Sequence, residues 1–226
     1  MMNEYIFILH CFFSAFSSLA GLYLGPYALT SLIAFQCVLS NVFVLKQVNL
    51  FGLIATCADP FTIGATIGFN LMQEYFGKKV ARQSIGITFL LLFFYTVATQ
   101  IHIWYLPAAV DVMHMHYQSL FATTLRIACA SLLTYTIVQW LDYVLYGFLK
   151  RWFNNRYMHA RSFITISTCQ AIDTILFTFL GLGSLVANPW DVIKISYGIK
   201  LLAIVVSIFF IKIAYFLIKP PARVQI

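Results

Sequence analysis

Charge is what this sequence has least of: 14 Lys and Arg and 7 Asp and Glu make up 9% of 226 residues, where soluble domains carry about a quarter. So little charge excludes a fully solvated globular surface. Cysteine is also sparse: Cys11, Cys37, Cys57, Cys129 and Cys169 stand singly in apolar runs, without a Cys-x-x-Cys pair or ligand-like spacing, and read as small core residues. Neither an HExxH zinc motif nor a GxxxxGK[ST] phosphate loop occurs, so metalloprotease chemistry and self-contained ATP hydrolysis have no support. No basic leader precedes the first apolar run, since Glu4 is the one charged side chain before it. That run is also long for a signal peptide and is read as a retained helix.

Long apolar runs fill the rest, at 62% hydrophobic residues. They predict an all-α polytopic membrane protein, a bundle of six or seven transmembrane helices forming one domain over residues 1–226. The spans are expected near Tyr5–Leu24, Pro26–Leu45, Val48–Gln73, Ser84–Leu106, Ser119–Leu149, Ser162–Val186 and Tyr197–Ile218. The tight Gly25-Pro26 turn leaves open whether the first two cross fully, hence six or seven. Lys78, Lys79, Arg82, Lys150, Arg151, Arg156, Arg161, Lys219 and Arg223 fall in loops on one side, against Lys46 and Lys194 on the other. This asymmetry predicts a cytoplasmic C-terminus and accounts for the net charge of +7 without nucleic acid as a direct partner.

Against this background the stretch Arg161–Gly183 stands out, because Gln170 and Asp173 lie one helical turn apart in its middle. A carboxylate at the bilayer centre costs about 2.5–3.5 kcal/mol on insertion scales and commonly faces a partner or a site. Asp173 is therefore the leading functional candidate. The alternative is an ion pair that only fixes helix packing. Displacing the chain by 31 positions aligns Gln139 and Asp142 with Gln170 and Asp173. Consecutive spans would then present one Gln-x-x-Asp device in opposite directions, as inverted-repeat transporters do; an interfacial Asp142 beside Lys150 and Arg151 is the other reading.

Asn70, Gln73 and Glu74 converge within about one turn at the end of the third span. Glu74 is read either as facing a cavity or as pairing with Lys78 at i+4. Asp59-Pro60 is expected to break that span, read either as a kink at a substrate site or as a kink in a packing helix. Arg126 and Lys200, inside apolar runs, are candidate partners for Asp142, Asp173 or Glu74. His102, Asp111, His114 and His116 share an outer loop; a solvated loop is the preferred reading over a metal site, for lack of a fourth ligand. Phe69, Tyr75, Trp140, Tyr143 and Phe177 are aromatic faces that serve equally as packing.

The segment Gln73-Glu74-Tyr75-Phe76-Gly77-Lys78-Lys79 with Ala81-Arg82 resembles the Asn-Glu-x-Tyr-Gly-Lys-x-x-Ala-Arg signature of the bacterial queuosine precursor transporters, a vitamin-uptake-like family. Arg126 with Ala130-Ser131, Gln139 and Asp142 also matches, as do Arg161 with Gln170, Asp173-Thr174 and Phe177, and Tyr197 with Lys200. The likeness runs from about Pro60 to Lys219. Asn70 stands where the family commonly has Asp, and Gln73 where it has Asn.

The resemblance implies a multi-pass protein of the bacterial inner membrane that imports a 7-deazaguanine, queuine or its cyano or aminomethyl forms, for tRNA queuosine salvage. It implies no cofactor. A guanine-like edge offers a ring N–H and an amino group to one carboxylate, for which Asp173 is the first candidate and Glu74 the second. Gln170, Gln139 or Arg126 would donate to the ring carbonyl. Two alternatives are weighed: a substrate-capture subunit needing a separate ATPase, which is not favoured, and an intramembrane enzyme using Asp142 and Asp173, which lacks a nucleophile or metal set.

Overall fold

The computed structural model describes residues 2–44, 46–121, 125–182 and 188–217. Local backbone chemistry sets its joints. Helix α1 (Met2–Leu24) turns directly into α2 (Pro26–Phe43) through Gly25, whose φ of 106° suits a residue without a Cβ, while Pro26 occupies a first-turn position that needs no N–H donor. The sharp return makes the two helices a hairpin of antiparallel neighbours.

The expected third span is the main correction. Its first part is strand β1 (Gln47–Leu50), which pairs antiparallel with β2 (Leu53–Thr56). Phe51 and Gly52 adopt φ of 51° and 77°, the two left-handed residues that a tight hairpin turn requires. Glu4 and Asn3 of α1 hold this hairpin, through the Phe51 N–H at 3.2 Å and the Asn49 carbonyl at 3.1 Å. Helix α3 then runs Asp59–Tyr75. Pro60 sits in its first turn, so Asp59-Pro60 begins the helix instead of kinking it.

Helix α3 is central, with every residue buried except Thr62, and it packs against α1, α2, α4 (Gly77–Ile103), α6 (Leu125–Trp152), α7 (Met158–Phe177) and α8 (Pro189–Leu217). Its 17 residues span only about 26 Å, short of a hydrocarbon core of about 30 Å, and the β-hairpin extends it at one end. At the other end no loop intervenes. Phe76 alone joins α3 to α4, Gly77 takes φ of 84°, and Lys78, Lys79 and Arg82 ride on the first turns of α4, within a segment expected to be a loop.

Among the described residues five helical segments are long and apolar enough to cross a membrane: α1, α2, α4, Met158–Gly181 and Pro189–Phe209. The fourth comprises α7 and the π-helical turn Thr178–Leu182 that continues it. Helices α3 and α6 complete the bundle; they carry Asn70, Gln73, Glu74, Gln139 and Asp142 inward, all buried, which lowers their apolarity without exposing polar groups to lipid. Phe89, Leu90, Phe93, Phe94 and Val97 of α4 point outward, as lipid-facing residues do. The chain is an all-α polytopic membrane protein with one small hairpin. Asp111 accepts from the Met113 and His114 N–H groups at 2.7 and 3.2 Å, starting the short exposed α5 (His114–Phe121); His102 packs edge-on to Tyr105 and Tyr117.

Close approach of α1, α2 and α3 depends on Gly64, where a Cβ would come within 2.8 Å of the Ser14 Cβ and 3.1 Å of its backbone carbon. Gly64→Ala is expected to cost about 1–3 kcal/mol by overpacking, seen as a lower thermal midpoint in detergent. Gly86→Ala, with nothing within 4 Å, leaves the midpoint unchanged or slightly higher. Equal effects at the two sites would contradict this packing.

Candidate functional site

Two polar centres occupy the bundle, one on each side of its middle. The first lines a cavity of about 320 Å³ that reaches toward the end carrying the hairpin and α5. Asp59 enters it from the start of α3, Gln139 from α6, Gln170, Asp173 and Phe177 from α7, and Lys200 from α8. The sequence pattern named five of these six. Asp59 it placed in a helix break, at a substrate site or in packing, without naming its carboxylate as a site group, although a carboxylate beside Pro60 in an apolar run was the available signal.

Lys200 Nζ donates to Asp173 Oδ2 at 2.7 Å. The pair joins α7 to α8, with Asp59 close enough for its charge to act on Lys200 as well. Lys200 thus lies between two carboxylates. Gln139 Oε1 and Gln170 Oε1 are buried without a hydrogen-bond partner among the described residues. Such groups are costly when left unmade, and here they border open space. Phe177 packs over Gly181, where a Cβ would come within 3.3 Å of the ring, so its aromatic body is held at the cavity wall. Ser131 Oγ donates to Asn41 Oδ1 at 2.9 Å, pinning α6 to α2 beside it. The set offers a carboxylate, an ammonium group, two amides and a flat apolar face, the functional groups that a planar heterocycle with adjacent donors and a carbonyl would use.

The second centre sits at the far end of α3 and is closed. Glu74 accepts from Arg161 Nη2 at 3.3 Å and from the Tyr146 hydroxyl at 3.1 Å, and Lys150 Nζ lies 3.2 Å from Oε2. Arg161 is 0% exposed and stacks over the Tyr146 ring at 5.3 Å. Arg161 is buried against Glu74 and is not the loop charge expected, and Glu74, read as facing a cavity or pairing with Lys78, pairs with Arg161 and Lys150. Lys78 lies instead over the Tyr143 ring, 5.9 Å from its centroid, in space left by Gly147, where a Cβ would meet Nζ at 2.7 Å. Gln73 Nε2 donates to the Tyr143 carbonyl at 3.3 Å.

Between the centres lie Asn70 and Asp142. Both are buried; neither side-chain polar atom of Asn70 has a partner, nor has Asp142 Oδ1, among the described residues. The Cys169 thiol lies beside the Asp142 carboxylate, and Asp142 is buried in the bundle at 2% exposure. The Arg126 side chain lies outside the described residues.

The chain is similar to known transporters. The family model described as "Putative vitamin uptake transporter" matches residues 60–217. A curated relative from Bacillus subtilis (strain 168), the "Probable queuosine precursor transporter", is 30% identical over 187 residues, covering 81% of this chain and 82% of the relative. No solved structure matches.

Glu74→Gln strands the buried Arg161 without its counter-charge and is expected to cost about 3–5 kcal/mol, read from thermal unfolding of the purified protein. Arg161→Met costs less, because Lys150 and Tyr146 still reach the carboxylate. The double variant recovers part of the Glu74→Gln loss. Strict additivity of the two changes would contradict a coupled pair.

Proposed function

The chain belongs to the vitamin uptake transporter family, and from that premise we propose that it imports a queuosine precursor, a 7-deazaguanine such as queuine or its cyano or aminomethyl form. The substrate crosses chemically unaltered. The observation that carries this reading is the Asp173–Lys200 pair at 2.7 Å in the wall of a cavity that also holds Gln139, Gln170 and Phe177.

While the cavity is empty the pair lowers the cost of burying either charge alone. A ring N–H and its neighbouring amino group then take the place of the ammonium on Asp173, in two parallel charge-assisted bonds. A Gln139 or Gln170 amide donates to the ring carbonyl, and Phe177 covers a face of the ring, a contact worth about 1–3 kcal/mol per base in stacking systems. Displaced Lys200 turns toward Asp59, so no charge is left without a counterpart.

The Lys- and Arg-rich end of the bundle faces the cytoplasm in this proposal, and the cavity opens outward. The Glu74 cluster then clasps α3, α6 and α7 at the inner end. Alternating exposure requires that this clasp part after the substrate is seated. The exchange of one ion pair for ring hydrogen bonds above supplies a binding-linked change on α7, the helix that also carries Arg161.

Uptake tests the reading: labelled queuine and its cyano and aminomethyl precursors are offered to cells that lack their own synthesis and importer. Cells making this chain are expected to accumulate at least one of them, and Asp173→Asn at matched membrane levels to reduce accumulation by about tenfold or more, the loss expected when a charged hydrogen-bond partner is removed. Absence of all three compounds from well-expressing cells would overturn the proposal. Uptake by the purified chain in proteoliposomes separates a solitary importer from a capture subunit.

A further inference from the structure

The Gln-x-x-Asp device occurs twice, and the packing of α6 on α7 decides what the second copy does. These helices are antiparallel neighbours. Asp142 lies beside Cys169, and a Cβ on Gly181 would lie 3.6 Å from the Ala130 Cβ. These two contacts agree on one register, in which each step down α6 is matched by a step back along α7. In that register the four side chains descend the seam in the order Asp173, Gln139, Gln170, Asp142, over about 6 Å at 1.5 Å per residue. Asp173 has Gln139 as its neighbour across the seam, and Asp142 has Gln170. The two halves are related by a local two-fold axis between the glutamines.

The lower half has the marks of an unfilled site. Asp142 is 2% exposed and Gln170 1%, yet Asp142 Oδ1 and Gln170 Oε1 have no hydrogen-bond partner among the described residues. No described Lys or Arg lies within salt-bridge distance of Asp142, unlike Asp173, which has Lys200. Asn70 reaches the seam from α3: Gln73 binds the Tyr143 carbonyl, so three residues up on these parallel helices Asn70 is level with Trp140, between the two glutamines. Both Asn70 side-chain polar atoms are buried without a partner. Asp142 and Gln170 thus lie desolvated, each with an unsatisfied oxygen, on the side of the seam toward the Glu74 clasp, with Asn70 at the level of the two glutamines. Packing alone does not account for so many unmade bonds in one place.

We propose that Asp142, Gln170 and Asn70 form a second station for the same substrate, which passes from Asp173 to Asp142 before release past the Glu74 cluster. This inference rests on the transport reading above. The ring edge that Asp173 accepts on the outer side is accepted by Asp142 on the inner side, and the glutamine pair lies between the two positions. A displacement of about 6 Å, four residues of helix rise, separates the stations.

The experiment compares equilibrium binding of labelled queuine to the purified protein with its transport into proteoliposomes, for the wild type, Asp142→Asn and Asp173→Asn. Asp142→Asn is expected to retain binding and to lower transport by about tenfold or more, whereas Asp173→Asn loses both. Wild-type transport by a folded Asp142→Asn protein would overturn the second station and leave the importer reading intact. Failure of the wild type to bind or transport any of the three deazaguanines would overturn both. A second measurement needs no Asp142 variant: mass spectrometry of Cys169 after treatment of wild-type proteoliposomes with a small methanethiosulfonate, with and without queuine. Substrate at the inner station should protect Cys169; modification that is absent throughout, or equal in both arms, would overturn the proposal.

Discussion

A charge inside a bilayer has to be compensated within reach of its own side chain, and the bundle is arranged around that requirement. Two cations lie well inside the described helices against carboxylates, Lys200 with Asp173 and Arg161 with Glu74. Each pair ties α7 to another helix. The first adjoins open space and the second is packed shut under Tyr146. The difference in surroundings, and not in the chemistry of the pairs, separates a site from a clasp. A pair beside a cavity is open to exchange for a ligand's hydrogen bonds, while one with no room beside it serves to hold helices together until they move.

The short helix α3 is what brings these centres onto one axis. It carries Asp59 at the cavity end and Glu74 at the clasp, and its interior is lined with small residues where other helices press in, as at Gly64 and Gly68. Because it is too short to span the hydrocarbon by itself, the β-hairpin seated on α1 completes the end near the cavity. A rigid central rod with a polar group at each end suits a transporter whose outer helices rearrange around it. Along α6 and α7 the unsatisfied oxygens of Gln139, Gln170 and Asp142 lie on the proposed route between the ends.

The membrane class, most helix positions and Asp173 with Lys200 were legible because an isolated charge in an apolar run has few structural uses. Depth and local backbone were not. Arg161 was counted with the loop charges because nearness to a segment end says nothing of burial, and only the packing of α7 on α3 shows it pointing inward. Residues 48–58 read as helix because their apolar run continues into α3; the turn at Phe51-Gly52 lacks the Asn-Gly or Asp-Gly pair that advertises a hairpin. Pro60 marks a helix start as readily as a break, and choosing the break hid Asp59 as a cavity residue. The inward direction of Gln139 and Gln170 followed from their polarity, whereas the order of the four seam residues required the register of two helices.

The central claim is that Asp173 exchanges its lysine for the substrate's ring edge. The most direct measurement is a structure of the chain with a bound 7-deazaguanine. The account predicts the ring N–H and amino group within hydrogen-bond distance of the Asp173 carboxylate, with Lys200 withdrawn and Phe177 against the ring. A ring seated in the bundle with the Asp173–Lys200 pair still closed would contradict it.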